Sequence, residues 1–233
     1  MKKIQANYDL WMKYAFETKE RNEIEELYKN ENWEELDKRL NTTISFGTAG
    51  LREVMEAGFS RMNCLTVCQT AQGLAKHVIA EKPNGASVVI GYDGRHNSKK
   101  YAELSAKIFI HLGIKVHLFS EVVPTPFVSY AVTLLGCTSG VMVTASHNPK
   151  EYNGYKVYWE NGSQIIEPRD RYIKEEISKN QEPWSEAIQK ELESNSPLLS
   201  DPTEQVAQKY YIDCTEKYCY YKVIKIKRKK KIL

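Results

Sequence analysis

The hydrophobic residues between positions 63 and 144 follow two patterns, one typical of strands and one typical of helices. Segments rich in apolar residues at 87–90, 114–119 and 141–144 predict strands, and the segments between them place apolar residues at helical spacing. Strands that alternate with helices at this spacing indicate βαβ units and a mainly parallel sheet. The pattern therefore predicts an α/β fold with three layers, α/β/α.

Residues 8–40 show a different pattern. Three segments of helical period, with Trp11, Ile24 and Leu36 among their apolar positions, are separated by charged residues. We predict a helical N-terminal arm over 1–40 whose aromatic residues seal the outer face of the main domain. A partner-binding face is the alternative interpretation.

Composition and charge narrow the class of protein. The 233 residues contain no apolar run of about 18 residues and no signal peptide, so we expect a cytoplasmic protein without a membrane partner. The five cysteines include no C-x-x-C pair, which favours free thiols in a reducing compartment. Cys64 and Cys68 lie four apart, but no further pair completes a metal site.

The formal net charge of +3 comes from a basic tail. Seven Lys and Arg residues lie between 222 and 231 without an acidic residue among them. Such a tail can bind nucleic acid, but it lacks interleaved aromatic residues and a recognisable binding fold. We therefore expect no nucleic-acid partner.

The stretch 140–159 contains the strongest candidate for chemistry. An apolar strand ends in small and polar residues, and Pro149 prevents the ladder from continuing, so a turn is predicted near His147. Ser146 then lies at the carboxyl end of the strand, where α/β sheets bind ligands.

A serine hydroxyl needs a neighbouring base or a positive field to act as a nucleophile. The pair Asn153-Gly154 is a tight-turn signal, which predicts a hairpin that returns Lys156 toward Ser146. The alternative is an ordinary surface loop with a solvated lysine.

Two further loops contain candidate phosphate ligands. Gly47 and Gly50 permit a sharp loop from which Arg52 projects, either to contact phosphate or to pair with Glu53 or Glu56.

The loop Asp93-Gly94-Arg95 has one carboxylate, whereas a magnesium site gathers several oxygen ligands. We predict that Asp93 pairs with Arg95 in a structural loop and that Ser98 caps the helix that follows.

These motifs resemble those of the α-D-phosphohexomutase family. The segment 144–149, TASHNP, resembles the family's phosphoserine loop, and 153–156, NGYK, resembles its lysine motif at a fitting spacing. The segments 46–52 and 93–95 resemble the family's arginine loop and its G-x-D-x-R segment. The continuation at 162–166, GSQII, is most similar to the phosphoglucomutase-2/phosphopentomutase branch.

The resemblance implies a phosphosugar mutase that interconverts sugar 1-phosphates and sugar 6- or 5-phosphates through a phosphoserine and a bisphosphate. It implies that Ser146 carries the phosphoryl group, that Lys156 is the general acid/base and that Arg52 stabilises the phosphoryl group. His147 would support the serine loop, and Asn148 would belong to the phosphate-binding set. The implied cofactors are Mg²⁺, bound partly through the phosphate on Ser146, and glucose 1,6-bisphosphate as phosphoryl donor.

The resemblance covers about residues 40–220, less than half of a typical family member. The family's acidic metal loop, sugar-recognition loop and C-terminal phosphate-binding domain have no counterpart, so we expect a truncated chain that is inactive alone. The predicted divisions are a helical arm at 1–40, a first phosphohexomutase-like domain at 41–200, with a surface linker from 180, the start of a second domain at 201–221, and a disordered basic tail at 222–233.

Two other functions stay open at this point. The first alternative is a non-catalytic fragment or binding module. The second is a serine hydrolase that uses Ser146 and His147. The hydrolase is disfavoured because adjacent side chains on a strand diverge and no G-x-S-x-G elbow is present.

Overall fold

The computed structural model describes residues 2–48 and 50–218. The predicted basic tail at 222–233 lies outside these residues, as does the end of the predicted 201–221 segment. The helices are α1 (Lys2–Tyr14), α2 (Thr18–Lys29), α3 (Trp33–Leu40), α4 (Cys64–Glu81), α5 (Ser98–His111), α6 (Thr125–Leu135), α7 (Arg169–Lys179), α8 (Ser185–Gln189) and α9 (Thr203–Tyr218). The strands are β1 (Leu51–Val54), β2 (Ser87–Tyr92), β3 (Lys115–Leu118), β4 (Ser139–Val143), β5 (Tyr152–Trp159) and β6 (Leu199–Ser200).

The strands form one sheet in the order β1-β5-β4-β2-β3-β6. The strands β4, β2, β3 and β6 are parallel, whereas β5 is antiparallel to both β4 and β1. This arrangement confirms the predicted mainly parallel α/β sheet with an added hairpin.

Helices cover both faces of the sheet and bury its central strands. Val88 and Ile90 belong to the apolar core that includes residues of α4, α5 and α7, whereas Val89 belongs to the core beneath α6 and α9. Because successive side chains of a strand point to opposite faces, β2 contributes to both cores. The predicted three layers are therefore present.

The N-terminal arm has its own apolar core. Trp11, Ile24 and Leu36 are fully buried there, and the Trp11 ring meets Phe59 of the main domain edge to face, with 5.2 Å between the ring centroids. The three helices agree with the predicted arm, and this contact agrees with a sealing role. The domain boundaries stay predictions.

Two local predictions were wrong. The predicted surface linker contains α8 and β6, and Leu199 pairs with Val116 of β3. Ser98 was expected to cap α5, but Asn97 precedes the helix in a left-handed conformation, and the Ser98 hydroxyl donates to Asp93 instead. In both cases a tertiary contact outweighs the local signal.

Within the described residues, no helix combines the length and the apolar character needed to cross a membrane.

Candidate active site

Ser146 lies at the first residue of the turn that follows β4. Its backbone has a φ of 57°, in the left-handed region, and its N–H donates to Thr144 Oγ1 at 2.9 Å. Left-handed backbone is uncommon for a residue other than glycine, and it points the exposed Ser146 hydroxyl away from the strand. The turn thus presents a single hydroxyl at the carboxyl edge of the parallel strands.

Lys156 reaches this hydroxyl from the neighbouring strand. The strand β5 pairs antiparallel with β4, with Lys156 opposite Met142, and the Lys156 Nζ donates to Ser146 Oγ at 2.6 Å. The predicted hairpin and the predicted approach of the two side chains are therefore both present in the structure.

The turn of this hairpin is not at Asn153-Gly154, as the sequence predicted. Both residues lie inside β5, between β4 and β1. A Cβ atom on Gly154 would lie 2.6 Å from the Thr144 carbonyl oxygen and 3.0 Å from that of Leu51. The glycine is therefore required by close packing of three strands rather than by a turn.

Arg52 approaches the serine loop from the edge strand β1. It lies within that strand, opposite Gly154 on β5, and not in the glycine loop from which it was predicted to project. Its Nη1 donates to the side-chain oxygen of Asn148 at 2.8 Å. The alternative pairing with Glu53 or Glu56 is not seen, because no ion pair of Arg52 occurs among the described side chains.

Arg95 holds the serine loop through its backbone. One terminal nitrogen donates to the carbonyl oxygens of Pro149 and Tyr152 at 2.8 and 3.2 Å, and the other donates to those of Ser146 and Asn148 at 3.0 and 2.7 Å. A single guanidinium group therefore ties four points of the turn together. Sequence reasoning missed this role; the available signal was a fork of five donors directly after a strand end.

Asp93 fixes the other end of Arg95. One carboxylate oxygen accepts from Thr144 Oγ1 at 2.6 Å and lies 3.3 Å from Arg95 Nε, and the second accepts from Ser98 Oγ at 2.7 Å. The predicted pairing of Asp93 with Arg95 is confirmed. Because both oxygens are engaged, this carboxylate serves the loop rather than a ligand.

The electrostatics of the site favour a reactive amine. Partial burial lowers the pKa of Lys156 below its ordinary value, and the nearby positive charge of Arg52 lowers it further, while Asp93 acts weakly in the opposite direction. A lysine with a lowered pKa has more of the neutral form that can accept a proton.

His147 does not join this arrangement. Its side chain is exposed and makes no hydrogen bond within the part of the chain that the structure describes. The serine hydroxyl is instead bonded to Lys156, and the loop is supported by Arg95. The predicted support of the loop by His147 hydrogen bonding is absent here.

Residues 2–48 and 50–218 contain no group of three His, Cys, Asp or Glu side chains that could hold a metal ion. Magnesium takes six oxygen ligands, so Ser146 by itself cannot form a magnesium site. The residues that the structure describes are therefore not sufficient to bind the expected Mg²⁺.

Known proteins share this fold and these motifs. Residues 43–184 match the family model described as "Phosphoglucomutase/phosphomannomutase, alpha/beta/alpha domain I". The chain is 42% identical to the phosphopentomutase of Mus musculus over 96% of its own length and 37% of that protein. It is 49% identical to the phosphoribomutase of Saccharomyces cerevisiae over 76% of its length and 29% of that protein.

A third relative is the glucose 1,6-bisphosphate synthase of Homo sapiens, which is 41% identical over 93% of the chain and 36% of that protein. A crystal structure of a phosphoglucomutase/phosphomannomutase family protein from Burkholderia thailandensis superposes with a TM-score of 0.55 at 23% identity. That match covers 75% of this chain and 36% of the other, and shows a common fold. The chain thus spans about a third of the length of the relatives it matches.

Proposed function

Because the chain belongs to the phosphoglucomutase/phosphomannomutase family, we propose that it supplies the phosphoserine site of a phosphosugar mutase. Ser146 would carry the phosphoryl group that is exchanged with a sugar phosphate. The observation that carries this proposal is the 2.6 Å contact between Lys156 Nζ and Ser146 Oγ at the carboxyl edge of the sheet. The names of the relatives, all concerned with phosphorylated sugars, support the substrate class.

Lys156 moves the proton in this scheme. When a sugar hydroxyl attacks the phosphorus, it forms the new O–P bond and releases its proton to solvent. The bond from phosphorus to Ser146 Oγ breaks, and Lys156 donates a proton to the departing oxygen. In the reverse direction neutral Lys156 removes the hydroxyl proton of Ser146 as its O–P bond forms, while the O–P bond to the sugar breaks and the sugar oxygen takes a proton from solvent. The lowered pKa of Lys156 suits the second step, because it makes the neutral amine more available.

Arg52 and Arg95 provide positive charge around the phosphoryl group. Phosphoryl transfer is accelerated mainly by positioning and by stabilising charge on the phosphoryl oxygens. Arg52 is bonded to Asn148 two residues from the serine, so its guanidinium is held beside the loop without an acidic partner in the described chain. Arg95 fixes the loop conformation from the opposite side.

Glucose 1,6-bisphosphate is the proposed phosphoryl donor, and the existence of a relative named for its synthesis supports this choice. Magnesium is proposed from the family resemblance only. When bound at the phosphoserine, it would neutralise phosphate charge, and the steps assigned to Lys156 and Arg52 do not depend on it.

The proposal is tested in a chimera in which this chain replaces the matching part of the mouse phosphopentomutase. After incubation with glucose 1,6-bisphosphate, peptide mass spectrometry should find phosphate on Ser146. Lys156→Met should lower sugar-phosphate turnover about a hundredfold or more, the usual effect of removing a general acid/base.

Lys115→Met is the matched control. Lys115 is exposed and is the first residue of β3, so it lies at the amino end of the parallel strands, away from the carboxyl edge that carries Ser146. It should keep the turnover of the unmodified chimera. Phosphate on another serine with none on Ser146, or full turnover in Lys156→Met, would refute the assignment.

A further inference from the structure

An open groove of about 430 Å³ lies beside the serine loop. It is lined by residues of two loops that follow β2 and β4, namely Asp93, Gly94, Arg95, His96, Asn148 and Lys150. The two strands are parallel neighbours, so both loops are at the carboxyl edge, where α/β sheets bind ligands. Arg95 and Asn148 also serve the reaction proposed above, and Asp93 holds Arg95, whereas Gly94, His96 and Lys150 have no part in that reaction.

The groove has an excess of positive charge. The carboxylate of Asp93 is the acidic group in its lining, and its two oxygens are engaged by Arg95, Thr144 and Ser98. Lys150, in contrast, has neither an ion pair nor a side-chain hydrogen bond within residues 2–48 and 50–218. An exposed ammonium group therefore faces the groove with no acid to balance it.

The groove also contains hydrogen-bond donors that have no acceptor in the described chain. The backbone N–H groups of Gly94 and His96 have no protein acceptor among the described residues, and the His96 imidazole also has none. A Cβ atom placed on Gly94 would have no heavy atom within 4 Å, so the space above this backbone is open. The N–H of Arg95, between these two, donates to Asp93, so the groove offers two separate free N–H groups beside basic side chains. Free backbone N–H groups and positive charge both favour an anion.

We propose that this groove binds a phosphate group at a site separate from the Ser146 hydroxyl. A phosphate offers several acceptor oxygens and two negative charges, which match a lining of unpaired donors and an unbalanced lysine. The ligand class is a phosphate monoester or inorganic phosphate. The inference goes beyond the proposed mutase role, because it requires neither a phosphorylated serine nor a metal ion.

Asn148 connects the groove with the reactive site. Its backbone oxygen accepts from Arg95, and its side-chain oxygen accepts from Arg52. A phosphate in the groove would therefore contact a residue that also orients Arg52, the proposed phosphoryl ligand. Occupancy of the groove and the position of Arg52 are coupled through one side chain.

The test uses the 233-residue chain with ¹³C-labelled histidine. Inorganic phosphate and glucose 1-phosphate are titrated separately at constant pH, with chloride keeping the ionic strength constant. The His96 imidazole signal, identified by its loss in His96→Gln, should shift and saturate. Lys150→Ala should weaken phosphate affinity about tenfold or more, the usual effect of losing a charged hydrogen bond.

Two further variants separate the groove from other anion contacts. Lys190→Ala removes an exposed lysine elsewhere and should leave the phosphate affinity unchanged. The double variant Ser146→Ala/Lys156→Met removes the proposed reactive pair and should keep the His96 response. A sugar phosphate that binds more tightly than inorganic phosphate would identify the sugar ester as the ligand, and equal affinities would identify the phosphate group itself.

The proposal is overturned if the His96 signal does not saturate, if Lys150→Ala binds phosphate as the wild type does, or if the double variant loses the response. These outcomes do not depend on phosphorylation of Ser146, which the chimera measures separately.

Discussion

Arg95 and Arg39 each lie at the centre of a polar network, but the two networks contain different kinds of oxygen. Arg95, beside the serine loop, bonds to four backbone carbonyl oxygens and one carboxylate. Arg39, where the helical arm meets the main domain, bonds instead to side-chain carboxylates. Its partners are Glu23, Glu35 and Glu56.

The difference determines the charge of each region. In the Arg95 network one carboxylate, that of Asp93, offsets the charge of Arg95. The positive potential beside Ser146 therefore comes from Arg52 and Lys156, which have no acidic partner among the described residues. The three carboxylates around Arg39 outnumber it, and Arg61, which pairs with Glu35 and Glu56, offsets part of the excess negative charge. One arginine thus prepares a loop for an anionic ligand, and the other fastens two parts of the fold together.

The largest expected effect is on the arm. Arg39→Ala leaves three partly buried carboxylates without their shared partner, which should lower the free energy of unfolding by about 3–5 kcal/mol. Urea denaturation measures this loss. Arg171→Ala, which removes an exposed arginine from α7, is the control and should change stability little. Equal effects of the two variants would show that the Arg39 cluster does not stabilise the fold.

The second effect concerns Glu20, which joins the arm to α4. One of its oxygens accepts from the Cys64 N–H at 2.9 Å, while the other is buried without a partner in the described chain. Burial raises the pKa of Glu20 to about 7 from a value of 4.5, and nearby Glu17 acts in the same direction. The folded state therefore holds this proton more tightly than the unfolded state.

A raised carboxyl pKa gives stability that is present at low pH and is lost as the pH rises through the folded pKa. Between about pH 5 and about pH 8, ionisation of Glu20 should lower the free energy of unfolding by roughly 2.5 kcal/mol. Glu20→Gln removes this titration, so its free energy of unfolding should fall less over the same range. Parallel pH dependences in the two proteins would contradict the prediction.

The third effect tests the Arg95 network directly. Arg95→Met removes the bonds to the loop carbonyls and should lower the free energy of unfolding by about 2 kcal/mol. The amides of residues 144–152 should exchange with solvent faster, while those of α2 and α3 keep their rates. In Arg39→Ala, by contrast, the amides of α2 and α3 should exchange faster, while those of residues 144–152 keep their rates. Unchanged exchange at 144–152 would mean that Arg95 does not order the loop.

The smallest effect is on the pKa of Lys156. Arg52 contributes to lowering this pKa, so Arg52→Gln should raise it toward its ordinary value. The ¹³Cε signal of Lys156, followed through a pH titration of the 233-residue chain, measures the change. A pKa that stays constant or falls in Arg52→Gln would assign the lowering to burial alone.

Most of the fold could be predicted from the sequence because the central helices and strands have clear patterns of apolar residues. The segment that forms β2 has an apolar centre at 88–90, and α4 begins with a capping box at Asn63. In contrast, β6 consists of two residues in a segment rich in Ser and Pro, and it forms only by pairing with β3. A strand of that length has no period that a sequence pattern can reveal.

The candidate site also combines features that the sequence predicts with features that it does not. The predicted hairpin and the approach of Lys156 to Ser146 are present, although the turn signal on which the prediction rested, Asn153-Gly154, lies inside β5. The position of Arg52 on an edge strand and the bonds of Arg95 to the loop depend on segments between 40 and 100 residues away in sequence, as their contacts with Asn148 show. Local turn signals such as Asn153-Gly154 carry no information about such packing.

The left-handed backbone of Ser146 has a consequence for the choice of amino acid at this position. Threonine offers the same hydroxyl group, but a β-branched side chain is strongly disfavoured at a φ of 57°. The loop therefore selects between two chemically equivalent alcohols on steric grounds alone. Aspartate tolerates this conformation, so an acidic imitation of the phosphorylated residue is compatible with the turn as it stands.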